Sequence, residues 1–372
     1  HCGHDGVNTL FTILLWGTVG VGLSMAAGTL LSLSRHPHWF VRGWDFPRPL
    51  IAGLAFASAL VYAVAVFDGQ WVDWGFMGVV ILCVAWQSYR ILPYTPLRPV
   101  TVKRADRPNA SATLRLVASN VQQENAQYDR WLQVVRRADP DIILAVEVDE
   151  TWARRLDALQ DDYPHVVRRP QNNYYGMVLL SRLKLIDPTV RFLVQEDVPS
   201  IHGAVELRNG RRVRFHGLHP RPPEPIRGAD ATERDAEVVL LGHEINERDA
   251  EFPTLVAGDF NDVAWSHTTD LFLQLSGLLD PRKGRGLFNT FHAEHPYFRF
   301  PLDHVFHSND FRLVDLRRLS YVGSDHFPVF IELDCKPRPP RDQPEPEAST
   351  KDLEEAKQKV ERAAEEQNDE SG

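Results

Sequence analysis

Hydrophobic and polar positions follow one pattern over the first ninety residues and another over the rest. Residues 7–33 carry no charged side chain, residues 50–67 none either, and residues 74–92 are apolar apart from Gln87 and Arg90. A bilayer core takes about 20 apolar residues, so the pattern predicts three transmembrane helices, the second barely long enough and the third with its polar end at the interface. Trp39, Trp44, Trp71 and Trp74 stand at the segment ends, where indoles favour the headgroup layer. No basic stretch precedes residue 7 and no small-residue cleavage site closes the run, which favours a retained span over a cleaved signal peptide.

Charge sets an expected orientation. The first connector holds Arg35, Arg42 and Arg48, and the stretch after the third run holds Arg90, Arg98, Lys103, Arg104 and Arg107, whereas the second connector has only Asp68 and Asp73. With three spans both basic stretches share one side. Positive residues stay inside, so the expectation is a multi-pass protein of a bacterial-type inner membrane with a cytoplasmic C-terminal region.

After a Pro-rich linker at 95–110, short β-like runs (114–118, 142–146, 177–180, 213–218, 254–257, 304–306 and 329–333) alternate with helical stretches at 128–138 and 230–248. That alternation predicts a layered α/β domain over residues 111–335. Residues 336–372 are rich in Pro, Glu and Lys and read as a disordered charged tail with a charged helix around 353–364. The resulting plan is a membrane region (1–94), a linker, a globular domain and a tail.

The whole chain has 372 residues, a net charge of −9 and three cysteines, Cys2, Cys83 and Cys335. The cysteines are too few and too scattered for a disulfide framework or a cysteine-based zinc site. An acidic total argues against a dedicated nucleic-acid binder, whose affinity rests on a basic surface. His1, Cys2 and His4 could bind a metal, although a frayed terminus is the simpler reading.

Polar residues recur where the β-like runs end: Asn120, Glu147, His219, Asp259, Asn261, Asp303, Asp325 and His326. Each has an ordinary structural explanation. Asn120 could close a turn, Glu147 cap a helix, Asp259 form an Asx-turn and His219 pack before Pro220. Together, carboxylates, amides and imidazoles make a poor core but a good site for a hard divalent cation that keeps waters for a phosphate. Neither a G-x-S-x-G elbow nor a P-loop is present. His292 and His295, with Phe291, Tyr297 and Phe298, form a stretch that reads as a substrate-side loop or as surface packing.

SNV at 119–121, Glu147, YGMVLLSR at 175–182, LHPRPP at 218–223, GDFND at 258–262, LDHVF at 302–306 and GSDHFPV at 323–329 resemble, in order, the motifs of the endonuclease/exonuclease/phosphatase superfamily, the deoxyribonuclease-I-like proteins. The resemblance implies a four-layer α/β sandwich that hydrolyses phosphate esters with Mg²⁺ or Mn²⁺. It implies Glu147 as the main metal ligand, with Asn120 and Asp325 nearby in the metal cluster. Asp259 matches the water-activating carboxylate, and Asn261 the amide that holds the nucleophile or a phosphate oxygen. His326 matches the phosphate-contacting histidine, oriented by Asp303, and His219 a second histidine on the leaving-group side.

Substrate is not implied, since the superfamily cleaves DNA, RNA, inositol phosphates, sphingomyelin and small nucleotide-like molecules. Residues 110–335 carry 26 Lys and Arg against 34 Asp and Glu, which suits a duplex-gripping nuclease poorly. Pro301-Leu302 precedes Asp303 where the DNA-repair branch has an Arg-containing motif, which weakens abasic-site recognition. The expectation is a membrane-anchored phosphoesterase acting on a lipid headgroup or a small phosphodiester. A membrane-tethered nuclease on DNA or RNA and a non-catalytic membrane scaffold are the alternatives.

Overall fold

The computed structural model describes residues 2–223, 230–248, 252–336 and 342–371. The side chains of His1, Cys2 and His4 lie outside the described ones. The N-terminal region is helical: α1 (Cys2–Leu33), the single turn α2 (Trp39–Arg42), α3 (Arg48–Ala65) and α4 (Trp71–Ile91). Three of these, α1, α3 and α4, are long and apolar enough to cross a membrane. The polar residues in the third run have partners. Gln87 donates to Thr29 Oγ1 at 2.9 Å and accepts from Arg48 Nη1 at 2.9 Å, so the foot of the bundle is tied together by hydrogen bonds. Gly28 lets α1 approach the indole of Trp44, since a Cβ there would come within 2.1 Å of a ring carbon.

The globular region follows as β1 (Thr113–Asn120), α5 (Tyr128–Ala138), β2 (Ile142–Val146), α6 (Glu150–Leu156), β3 (His165–Arg169), β4 (Met177–Ser181), β5 (Lys184–Arg191), β6 (Ser200–Glu206), β7 (Arg212–Leu218), α7 (Thr232–Arg248), β8 (Thr254–Asp259), α8 (His267–Ser276), β9 (Asp303–His307), β10 (Phe311–Arg318) and β11 (Val329–Cys335). They form a six-stranded sheet in the order β10-β11-β1-β2-β4-β3 and a five-stranded sheet in the order β5-β6-β7-β8-β9. Both are mixed, because β1 pairs parallel with β2 and β7 parallel with β8.

Period-2 alternation sorts side chains between the layers. Leu114, Leu116 and Ala118 of β1 meet Phe215, Leu255 and Ala257 of the other sheet in the central core. Val117, between them in the chain, points the other way onto Trp131 of α5 and Trp152 of α6. The second sheet turns Leu218, Val256 and Phe306 outward onto α7 and α8. Helix, sheet, sheet and helix make the four layers.

Two segments differ from the sequence reading. In the linker, Val102 is buried in the central core and Ala105 N donates to Leu313 O at 2.9 Å beside β10. In the tail, read as disordered apart from a charged helix around 353–364, α9 (Thr350–Ser371) covers that helix, runs beyond it and packs on α7 and α8. The reason is a narrow stripe at helical spacing: Ala356 is buried against Val239, Leu271 and Leu275, with Val360 beside it. Charged neighbours add to it, with Lys359 Nζ 2.8 Å from Asp235 and His267 Nε2 2.6 Å from Glu355. Average composition conceals such a stripe because its apolar residues are few and small.

Candidate active site

Strand direction gathers the polar residues at one end of the sandwich. The parallel pairs β1/β2 and β7/β8 end together there, bringing Asn120, Glu147, His219 and Asp259 to one edge. Antiparallel β9 begins where β8 ends, with Asp303 opposite Asp259 in register. Antiparallel β11 begins beside the end of β1, and Ser324 Oγ donates to Asn120 O at 2.9 Å, which draws Asp325 and His326 to the same edge. Gly258 makes the approach of β7 possible: it has φ +148°, and a Cβ would stand 1.9 Å from Leu218 O.

Asn120 bridges two carboxylates. Its Oδ1 accepts from Gln122 N at 2.9 Å, which turns Nδ2 to Glu147 Oε1 at 2.7 Å and Asp259 Oδ2 at 3.0 Å. Glu147 sits just past β2 at φ +60°, and its Oε2 accepts from Gln123 N at 3.3 Å. Burial, with Asp325 and Asp259 near, pushes the Glu147 carboxyl up to about 7. Asp259 is buried, and its Oδ1 accepts from Asn261 N at 3.0 Å. Asn261 holds φ +50° and donates through Nδ2 to Pro220 O at 3.0 Å.

His326 lies between two carboxylates. Its Nδ1 is 2.8 Å from Asp303 Oδ2 and its Nε2 is 3.5 Å from Asp259 Oδ2. Burial acts to lower its pKa, but the charges of Asp303 and Asp259 outweigh that and raise it to about 10, so the ring is an imidazolium at neutral pH. His219 has the opposite state. Its Nε2 is 3.8 Å from Asp259 Oδ2, and burial holds its pKa down to about 4, which leaves it neutral. Among the described residues, its buried Nδ1 has no hydrogen-bond partner.

Asp259, Asp303 and His326 form a candidate metal site, with their ligand atoms all within 4.8 Å of one another. Asp325 is partly buried beside them, its backbone N–H donating to Gln122 Oε1 at 3.0 Å. The 291–300 loop closes one side of the site: the Phe291 ring is 4.9 Å from that of His326, and Ala293 N donates to Asp325 O at 2.6 Å. The basic cluster at Arg208–Arg214 lies elsewhere, in the β6–β7 hairpin at the opposite end of the strands from His219. Sequence reading gave no role to Gln122, which follows the SNV motif, or to Ser324, which lies within GSDHFPV. It also missed Arg234, whose Nη1 donates to Asn261 O at 2.9 Å and which carries no local signal.

Among solved structures, an endonuclease/exonuclease/phosphatase from Beutenbergia cavernae aligns with TM-score 0.50 and 18% identity over 60% of this chain and 72% of its own. D. rerio TDP2 complexed with single-strand DNA product aligns with TM-score 0.51 and 14% identity over 60% and 99%. An endonuclease/exonuclease/phosphatase from Bacteroides vulgatus gives TM-score 0.50 and 17% identity over 60% and 99%. At these identities the likeness concerns the fold, which is deoxyribonuclease-I-like. No curated protein sequence matches the chain. The profile of the Endonuclease/Exonuclease/phosphatase family matches residues 117–326, more than half of the chain and the whole span from β1 to His326, so this protein belongs to that family.

Proposed function

We propose that the protein is a membrane-anchored, divalent-metal-dependent phosphoesterase that hydrolyses its substrate with an activated water. The observation that carries the reading is the continuous chain Asp303–His326–Asp259–Asn120–Glu147. It joins a fixed positive group to a cluster of carboxylates at one edge of the sheets.

The donor set fits a hard cation, because Glu147, Asp259 and Asp325 supply carboxylate oxygen and the surroundings supply no thiolate. His326, hydrogen-bonded to Asp303 and 3.5 Å from Asp259, is the phosphate-contacting group in this reading rather than a ligand. The reading therefore gives the cation to Glu147, with Asp325 and Asn120 beside it. A bound Mg²⁺ or Mn²⁺ would supply Lewis-acid stabilisation of charge on the phosphate oxygens.

This chain's residues provide the rest. Asp259, whose burial is outweighed by His326 and His219 together with the hydrogen bonds from Asn120 and Asn261 so that its carboxyl lies below the usual carboxylate range, accepts the proton of the attacking water. Asn261 holds that water or a phosphate oxygen, and the His326 imidazolium binds a nonbridging oxygen as negative charge grows there. One phosphorus–oxygen bond forms from the water as the bond to the leaving group breaks, with His219 on the leaving-group side. No covalent intermediate is needed.

A lipid headgroup or small phosphodiester is the substrate we favour. The 291–300 loop, which touches His326, shares a cleft of about 150 Å³ with Pro49 and Leu50 at the start of α3, a helix long enough to span. Tyr297 and Phe298 at its tip are 89% and 57% exposed, as rings in a headgroup layer would be.

The experiment is hydrolysis of bis(p-nitrophenyl) phosphate by the full chain in detergent micelles, with Mg²⁺ or Mn²⁺, with chelator, and with Asp259→Ala. Metal-dependent turnover lost in the variant is the expected result. Binding of single-stranded DNA or RNA that falls steeply with salt, together with its cleavage, would favour a nuclease. A folded chain that binds no divalent metal would mean a scaffold.

A further inference from the structure

The loop that carries Asp259 and Asn261 continues to Trp265, and the N-terminal helical region grips it there. Arg42, from the connector between α1 and α3, is 2% exposed. Its Nη1 is 3.0 Å from Asp45 Oδ2, and its Nη2 is 3.3 Å from Thr268 Oγ1 and 3.7 Å from Asp262 Oδ2. Trp265 Nε1 donates to Asp45 O at 2.7 Å, Arg90 Nη2 donates to Trp265 O at 2.6 Å, and the Tyr94 hydroxyl donates to Ala264 O. Five contacts from four residues of the membrane region, Arg42, Asp45, Arg90 and Tyr94, thus fall on residues 262–268, the direct continuation of the motif.

That continuation needs fixing. Asn261 holds φ +50°, a left-handed conformation that asparagine tolerates but that its surroundings must still select. Asp262 is buried next to it, and apart from Arg42 its carboxylate has Arg234 at 3.5 Å and Ser266 Oγ at 2.6 Å. Taking Arg42 away would leave both Asp262 and Asp45 in the interior with fewer cations than they now face, and buried charge without its partner reorganises the structure around it.

We propose that Arg42 is a positioning residue for the Asp259–Asn261 loop, so that the membrane region completes the active site as well as anchoring it. The inference rests on the catalytic reading of Asp259 and Asn261 given above. It makes the α1–α3 connector part of the scaffold that holds Asn261 in its left-handed conformation. It also means that residues 111–335, taken alone, would lack part of that scaffold.

The test compares wild type, Arg42→Met and Arg42→Lys as full chains in detergent micelles, reading hydrogen–deuterium exchange by peptide and turnover of bis(p-nitrophenyl) phosphate with Mg²⁺. The expected result is at least tenfold faster exchange over residues 259–265 in Arg42→Met, unchanged exchange in β2, β4 and α5, and partial recovery in Arg42→Lys. kcat should fall at least tenfold while KM stays within twofold. Unchanged exchange at 259–265, or equal loosening of the whole chain, would overturn the proposal. A wild type that exchanges as expected but never turns over would refute the catalytic reading instead, because exchange alone decides the positioning. Should Arg42→Met not fold, Trp265→Phe removes the bond to Asp45 O along with part of the buried indole and is judged by the same two readouts.

Discussion

His326 and Asp303 are joined at 2.8 Å, Nδ1 to Oδ2, with both side chains buried. The pair fixes which way the ring faces, so that Nε2 points at Asp259. Replacing Asp303 by Asn removes the charge that holds the imidazolium while keeping the shape. Turnover should fall by about 10²–10⁴-fold, within the range of a positioned acid or base, with thermal unfolding little changed. Steady-state kinetics with parallel melting curves check this, and an unaltered kcat would remove His326 from the chemistry.

Glu147 offers a second test at the other end of the chain of contacts. Glu147→Gln keeps the hydrogen bond from Asn120 but removes the carboxylate charge. The concentration of Mg²⁺ or Mn²⁺ giving half-maximal turnover should rise by about 10–100-fold, and isothermal titration should show the same weakening. Chelator should abolish wild-type activity, and added Mg²⁺ should restore it.

The bilayer reading predicts a split between substrates. In Tyr297→Ser/Phe298→Ser, hydrolysis of a phosphodiester lipid presented in vesicles should fall by more than about tenfold, since burying even one large apolar side chain contributes about 1.5–3 kcal/mol. Hydrolysis of bis(p-nitrophenyl) phosphate in solution should be unaffected. Equal effects on both substrates would remove the loop from any role at the membrane surface.

Acid stability reports on a buried pair away from the site. His202 Nδ1 is 2.7 Å from His216 Nδ1, which requires one donor and one acceptor, so the two rings cannot both be charged there. Burial, with His216 and Arg191 adding to it, holds His202 down to about 2. An unfolded histidine takes its proton near pH 6.5. The contribution is therefore complete above that pH and is lost as pH falls below it, by up to about 1.4 kcal/mol per unit. His202→Gln should narrow the gap in melting temperature between pH 7.5 and pH 5.5, and an unchanged gap would contradict the assignment.

Gly258 tests the backbone that aims Asp259. Gly258→Ala places a methyl 1.9 Å from Leu218 O at φ +148°, so it should cost more than about 2 kcal/mol or prevent folding. A melting temperature equal to wild type would show that β7 and β8 can separate there.

Much of the molecule is legible one residue at a time. The apolar lengths of α1, α3 and α4 follow from composition, because a span must be long and uncharged whatever it packs against. Most strands of the sandwich follow from alternation and the turn residues between them. GDFND and SDH are legible because their residues are neighbours in the chain, and the close approach at Gly258 is written into the glycine itself.

What remained hidden joins residues far apart. Nothing near position 42 announces that Arg42 faces Asp262, and nothing near 303 requires Asp303 to reach His326 except the register that sets β9 against β8 and β11 against β1. The tail helix around 353–364 read as charged and undocked because Ala356 and Val360 contribute little to an average, yet α7 and α8 offer the apolar surface that makes their stripe worth burying. Local pattern determines which segments become helices, spans and strands, since those depend on each residue's own backbone and solvation. Only tertiary packing decides which charges end up facing one another, because a buried ion pair exists only when two distant segments are brought together and the water between them is removed.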